Sequence, residues 1–261
     1  MSDAALLEAQ GVGKRFGAVV AAADINIGVR AGERVSLIGS NGAGKTTFVN
    51  MITGYLKPDA GHIRFDGRDI TALHPRTIVG LGVARSFQIP QLFGELSVLD
   101  NMLVASACQG THMSYTKAAR DAAAVARTEA LLQRFALTEH RERRVSELPG
   151  GVRKLLDIAM ALTAHPRLLL LDEPTSGVSA DEKFATMDTV VRAIEAHQGR
   201  SPVTVVFVEH DMDIVRRYAS RVAAFYSGRV IADGPPGRVL EDADVQRYVT
   251  GSAPAVAGEA A

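Results

Sequence analysis

Residues 39–47 read GSNGAGKTT, and the five residues before them, RVSLI (34–38), have the apolar look of a buried strand. Together they form a complete G-x-x-x-x-G-K-[ST] phosphate loop between a strand and a helix, which predicts a nucleoside-triphosphate site. Gly39, Gly42 and Gly44 let the chain turn tightly. The backbone N–H groups running from Gly39 through Ser40, Asn41 and Ala43 to Thr47 then form a nest at a helix N-terminus, where orphan donors and the helix dipole favour phosphate. Lys45 neutralises β/γ-phosphate charge, and the Thr46 hydroxyl suits Mg2+. The competing reading is a glycine-rich turn without chemistry, and the correct flanks on both sides count against it.

A second chemical signal follows much later in the chain. Leu168 to Leu171 lead straight into Asp172 and Glu173, so a strand buried on both faces delivers two carboxylates to the C-terminal edge of a sheet, the edge at which a phosphate loop opens. Asp172 suits the outer shell of Mg2+, and Glu173 is placed to polarise a water for in-line attack on the γ-phosphorus. An Asp-Glu-Pro turn that merely caps the next helix accounts for Pro174 and Thr175, but it leaves the acidic pair unexplained. A third strand, VTVVFV (203–208), ends in Glu209 and His210. A His at such an edge can donate to the γ-phosphate and sense its loss, although a lone His at a strand end is more often structural.

Around these signals the pattern alternates. Residues 5–9, 18–30 and 62–66 read as strands or strand pairs broken by Gly, Asp and Lys-Arg turns, and 45–54 reads as a helix ending at Gly54. From Asp100 to about Glu142 the chain is alanine-rich and charged, with Leu131, Leu132, Phe135 and Leu137 at helical spacing, which predicts a helical insertion. Helices are expected over 153–164, 181–196 and 212–219, alternating with strands over 168–171 and 203–208. The fold class expected is α/β: a P-loop NTPase with a mostly parallel central sheet, an antiparallel β subdomain and an inserted helical subdomain. Residues 251–261, GSAPAVAGEAA, carry no periodic apolar face and read as a flexible tail.

Composition narrows the function classes. The 29 basic and 29 acidic residues of this 261-residue chain give a formal net charge of zero, which argues against a sequence-independent grip on nucleic acid. The single cysteine, Cys108, excludes a disulfide framework, fits a reducing compartment, and reads as a small buried hydrophobe. No apolar run reaches signal-peptide or membrane-spanning length, so the chain is expected not to enter a membrane by itself.

The order of GSNGAGKTT, Gln88, LPGGV (148–152), LLLLDEPTSGV (168–178) and VEHDM (208–212) resembles the nucleotide-binding subunit of ATP-binding-cassette (ABC) transporters across about 240 residues. The stretch 80–105, the VEHDM segment (208–212) and the ending 228–251 are similar to the branched-chain amino-acid (Liv-type) importer ATPases. The resemblance implies one ATP-binding domain over 1–250, with its helical subdomain at about 89–160. It also implies a head-to-tail dimer that holds each ATP, with Mg2+, between the phosphate loop of one subunit and the signature motif of the other. It places Phe16 against adenine, although Phe16 equally suits a core, and places Gln88 on Mg2+ and the attacking water. Gly150 and Gly151 fall where the signature meets the partner's γ-phosphate, and His210 joins Glu173 and Gln88 in catalysis. The implied partners are a second ATPase subunit, two membrane permeases reached through residues 90–100, and indirectly a periplasmic solute-binding protein, with no nucleic acid. The implied location is the cytoplasmic face of the inner membrane, as a peripheral subunit.

Two motifs depart from the family pattern. LPGGV stands where LSGGQ is usual, so Pro149 replaces a serine and Val152 a polar side chain, and Ser179 stands where many members carry Asp. Both changes fall on surfaces that act across the dimer, which favours a hetero-dimeric partner and leaves a homodimer open. A soluble ABC-type ATPase working on nucleic acid or the ribosome is the alternative class, and an exporter or lipopolysaccharide-type extraction ATPase a third.

Overall fold

The computed structural model describes residues 5–108, 122–197 and 202–251. They fall into two compact units, Met1–Ala72 with His210–Ala261 and Leu73–Glu209.

The first unit opens with β1 (Ala5–Phe16) and β2 (Val19–Arg30), an antiparallel pair, followed by β3 (Arg34–Gly39), α1 (Lys45–Ile52), β4 (Ala60–Phe65) and β5 (Arg68–Asp69). β2, β1, β4 and β5 lie side by side in an antiparallel sheet. The expected stop after residue 9 is corrected, because the strand continues through Gly11 to Phe16. Gly11, at φ 61°, takes up a register shift between Ala9 and Val12, so the glycine that reads as a turn is a bulge inside the ladder.

The second unit begins with α2 (Pro75–Gly80), β6 (Val83–Ser86), α3 (Val98–Ala107) and α4 (Ala122–Arg134). It continues with α5 (Gly150–Leu162), β7 (Leu168–Asp172), α6 (Lys183–Glu195) and β8 (Thr204–Val208). β6, β7 and β8 are parallel neighbours, as continuous apolar runs separated by helices require. The four leucines of β7 are essentially sealed from solvent, each contributing about 1.5–3 kcal/mol of burial. α4 stops at Arg134, yet Phe135 and Leu137 beyond it are also buried, since Ala136 at φ 55° turns the chain back onto the helices. The expectation of a buried Cys108 is overturned: it is exposed. The buried residues of α3 are Val98, Leu99, Asn101, Met102 and Leu103, and Cys108 caps the helix beyond them. Of the predicted helical insertion, 109–121 lies outside the described residues.

The chain then returns to the first unit with α7 (Met212–Tyr218), β9 (Arg221–Tyr226), β10 (Arg229–Gly234), α8 (Pro236–Leu240) and α9 (Ala243–Val245). β9 pairs parallel with β3 and antiparallel with β10. Ile38, Val215, Val222, Ala224, Val239, Leu240 and Val245 form one buried cluster around this pairing. The predicted tail lies outside the described residues from 252 onward. Among the described residues no helix is long and apolar enough to cross a membrane.

Candidate functional site

In the first unit the phosphate loop is shaped by backbone. Gly44 caps α1 in the left-handed region at φ 103°, and a Cβ there would stand 2.5 Å from the Ala21 carbonyl oxygen, so only glycine fits. Gly39, at φ 154°, is as closely packed, with the Phe225 carbonyl oxygen 2.4 Å from where its Cβ would lie. The Gly228 N–H donates to Ala43 O at 3.0 Å, and the Ala23 N–H to Gly228 O at 2.8 Å, tying the loop to β2 and to the β9–β10 turn. The rings of Phe48 of α1 and Phe225 of β9 meet at a tilt of 36°, centroids 5.8 Å apart.

Lys45 is buried, and its ammonium folds back over the loop, donating to Gly39 O at 2.6 Å and Ser40 O at 3.0 Å. Ser40, Asn41, Gly42 and Thr46 are exposed, Thr47 is half-buried and Ala43 is buried. The result is a partly exposed glycine-rich turn at the start of α1 with a cation folded over it, in which the Ala43 N–H donates to Ser40 O at 3.1 Å; a turn of this kind suits a polyphosphate.

Phe16 ends β1 and is 51% exposed, so the core alternative fails and its ring is available for stacking. The Lys14 ammonium lies 5.8 Å from its centroid and pairs with Asp59 at 2.6 Å. That hydrogen bond, with a second from the Arg15 N–H, holds the Asp59 carboxyl below the usual carboxylate range. His210 is exposed and directly precedes Asp211, whose carboxylate caps α7 by accepting from the N–H groups of Asp213 and Ile214.

In the second unit side chains do the holding. Glu173 follows β7 with φ 49°, a left-handed conformation rare for a non-glycine residue and typical of strained functional positions. Gln88, two residues beyond β6, donates from Nε2 to Glu173 Oε2 at 2.9 Å, so two predicted site residues meet although they lie 85 positions apart. Asp172 is buried, and its Oδ2 accepts from Arg85 at 2.7 Å. The Arg85 guanidinium also lies 4.8 Å from the centre of the Phe87 ring.

Glu209 at the end of β8 accepts from the N–H and the hydroxyl of Thr175, at 3.1 and 2.7 Å, and thereby fixes the turn after Glu173. α5 starts at Gly150, three residues before its predicted start at 153. Pro149 sits at its N-cap with no side-chain hydrogen bond to the first turn, whereas a serine there would accept one. Gly150 and Gly151 pack toward Gly177 and Val178.

Four residues to which the sequence reading gave no role hold this segment: Arg85, Lys154, Asp157 and Glu209. Lys154 and Asp157 are both buried on α5, among Leu156, Ile158, Ala159 and Leu162. Charge on the apolar stripe of a helix was the legible signal, because such charges are kept only when paired.

The sequence profile of the family described as ABC transporter matches residues 22–176, more than half the chain. The high-affinity branched-chain amino acid transport ATP-binding protein LivG of Salmonella typhimurium is 35% identical over 255 residues, covering 95% of this chain and 98% of that protein. BraF of Pseudomonas aeruginosa, described in the same terms, is 34% identical over 260 residues at 95% and 98% coverage. A nucleotide-free ATP-binding cassette from an ABC transporter superposes with a TM-score of 0.81 at 31% identity, covering 92% of this chain and 97% of that one. The ADP conformation of such a cassette gives the same TM-score and identity at 93% and 97% coverage. With a phosphate nest on one unit, an ordered glutamine-glutamate pair on the other and likeness along nearly the whole chain, the protein belongs to the ABC transporter family and is an ABC-type ATPase.

Proposed function

We propose that this chain binds and hydrolyses ATP for an importer of branched-chain or other hydrophobic amino acids or related small organic solutes. In this reading it is a peripheral subunit on the cytoplasmic face of the inner membrane. The observation that carries the hydrolytic reading is the 2.9 Å bond between Gln88 and Glu173 beside the strained Glu173 backbone. The substrate class rests on what LivG and BraF are described as serving. That same likeness to transport proteins leaves the nucleic-acid alternative without support.

The N–H groups of Gly39 to Thr47 and the Lys45 ammonium hold the phosphates, and Phe16 stacks on the base. In the arrangement that the family resemblance implies, Thr46, Gln88 and Asp172 would hold Mg2+, which would neutralise developing phosphate charge. Glu173 accepts a proton from the attacking water that Gln88 helps to orient, and His210 donates to the γ-phosphate. Gly150 and Gly151 offer their N–H groups to the nucleotide of a dimer partner, and Pro149 offers none. That asymmetry favours a second, different ATPase subunit as partner.

The permease side is supported by a cavity of about 450 Å3 lined by Gln88, Ile89, Pro90, Leu92, Gly94 and Val145, among others. Ile89 at 75% exposure and Phe93 at 54% present apolar surface beside it, as a docking groove for a short permease helix requires.

Glu173→Gln in the assembled transporter tests the chemistry. ATP affinity is expected to hold while turnover falls about 100-fold or more, the scale of a lost positioned base. Turnover within a few-fold of the unaltered protein removes Glu173 from that role. Uptake assays with leucine, isoleucine and valine against charged amino acids test the solute class.

A further inference from the structure

Gln88 and Glu173 stand on separate loops, and one buried side chain bonds to the residue before each. Lys154 is 1% exposed, and its ammonium donates to Phe87 O at 2.7 Å and to Asp172 O at 2.6 Å. These carbonyls belong to the residues immediately before Gln88 and Glu173. A carbonyl shares its rigid peptide plane with the next residue's N–H, so a single cation sets the plane entering each member of the pair.

The same helix holds the first of these planes a second way. Asp157, one turn along α5, accepts from Ser86 Oγ at 2.6 Å, from the Phe87 N–H at 3.0 Å and from the Gln91 N–H at 3.4 Å. Phe87 is thus gripped by α5 through its N–H and its carbonyl together. Gly150 and Gly151, the residues read above as facing the partner's nucleotide, lie one turn ahead of Lys154 on this helix.

A buried ammonium is a costly way to fill this space, since an apolar side chain of similar size would pack more cheaply. Burial pushes the Lys154 ammonium below its ordinary value, while Asp157, Asp172, Glu173 and Glu209 act to keep it charged. Burial likewise raises Asp157, against the hydrogen bond from Ser86 and the charge of Lys154. The charged arrangement is retained although the surroundings disfavour it, and what it secures is the position of two backbone carbonyls.

We propose that Lys154 is a positioning residue that joins α5 to the Gln88–Glu173 pair, so that the partner's nucleotide, felt at Gly150 and Gly151, sets the geometry of this chain's own hydrolytic groups. The proposal rests on the reading of Gln88 and Glu173 given above. When α5 moves at its N-terminus, Lys154 carries the peptide planes of Phe87 and Asp172 with it, and the pair opens or closes as one.

The test uses the assembled transporter with Lys154→Met, Lys154→Arg and Glu173→Gln side by side. Lys154→Met is expected to leave ATP affinity and KM within about twofold and to lower kcat about tenfold, with loss of cooperativity in ATP, and Lys154→Arg to recover most of both. Unchanged kcat and cooperativity in Lys154→Met, beside an inactive Glu173→Gln, overturns the joint and leaves the hydrolytic reading standing. An active Glu173→Gln overturns both. Should Lys154→Met not fold, hydrogen exchange on the unaltered protein with ATP and no Mg2+ decides. Slowing at 150–154 together with 87–91 and 172–175 is expected, and slowing at 150–154 alone overturns the proposal.

Discussion

The phosphate loop keeps its shape mainly through backbone, whereas the segment around Glu173 is held by side chains from three other elements. In the loop the residues that set the shape are contiguous, left-handed glycines and a lysine folded onto its own neighbours, with the carbonyls of Ala21 and Phe225 closing on them. Around Glu173 they are scattered, with Arg85 and Gln88 beyond or within β6, Lys154 on α5 and Glu209 after β8. A site built from backbone conformation is specified by residues that are neighbours in sequence. One built from side chains exists only once distant elements have packed.

The largest effect expected from this contrast is at Gly44. Gly44→Ala places a Cβ at φ 103° and 2.5 Å from a carbonyl oxygen, and a forced left-handed residue alone costs about 1–3 kcal/mol. ATP affinity should collapse and chemical denaturation should shift to lower denaturant. Wild-type values for both would mean that the loop is not backbone-determined.

Pro149→Ser probes the other side of the comparison, where a side chain is missing. Restoring a hydroxyl and an N–H toward a partner's γ-phosphate returns charge-assisted bonds worth about 1.5–3 kcal/mol each. ATPase activity of a homodimer of this chain is expected to rise by about one to two decades or more. No gain would show that LPGGV is functionally equivalent to a serine-bearing signature, and the argument for a different partner subunit would fall.

The smallest effect concerns stability in acid. His197 is held at about 4 by burial first, then by His165 and Arg134, and its ring lies 3.0 Å from His165 at the closest nitrogens. The folded protein therefore resists a proton that the unfolded chain accepts below its ordinary value of 6.5. The contribution is present above that value and is lost as pH falls toward 4. His197→Phe should flatten the decline of Tm over this window and leave ATP turnover at neutral pH unchanged. An unaltered slope of Tm against pH would assign the acid sensitivity to other groups.

The sequence by itself determined the phosphate loop, the helix behind it, the acidic pair at the end of β7 and the alternation of buried strands with helices. Each depends on local rules: glycine tolerance of positive φ, apolar runs of strand length, and turn residues at their ends. β6, β9 and β10 did not announce themselves, because VARS is four residues long and the β9–β10 hairpin gains its burial from β3 and the cluster around Ile38. The same holds for Gly11, which as a local signal reads as a turn and in the ladder becomes a bulge, and for Cys108, whose exposure is set by which face of α3 packs.

Only the tertiary structure decided that Gln88 touches Glu173, that Asp172 pairs with Arg85, and that Lys154 bridges the two segments carrying Gln88 and Glu173. The physical reason is that a hydrogen bond between residues tens of positions apart has no local energetic trace. It becomes favourable only after the packing of β6, β7 and α5 has met the entropy of bringing them together and has excluded the water that would otherwise compete for the same donors.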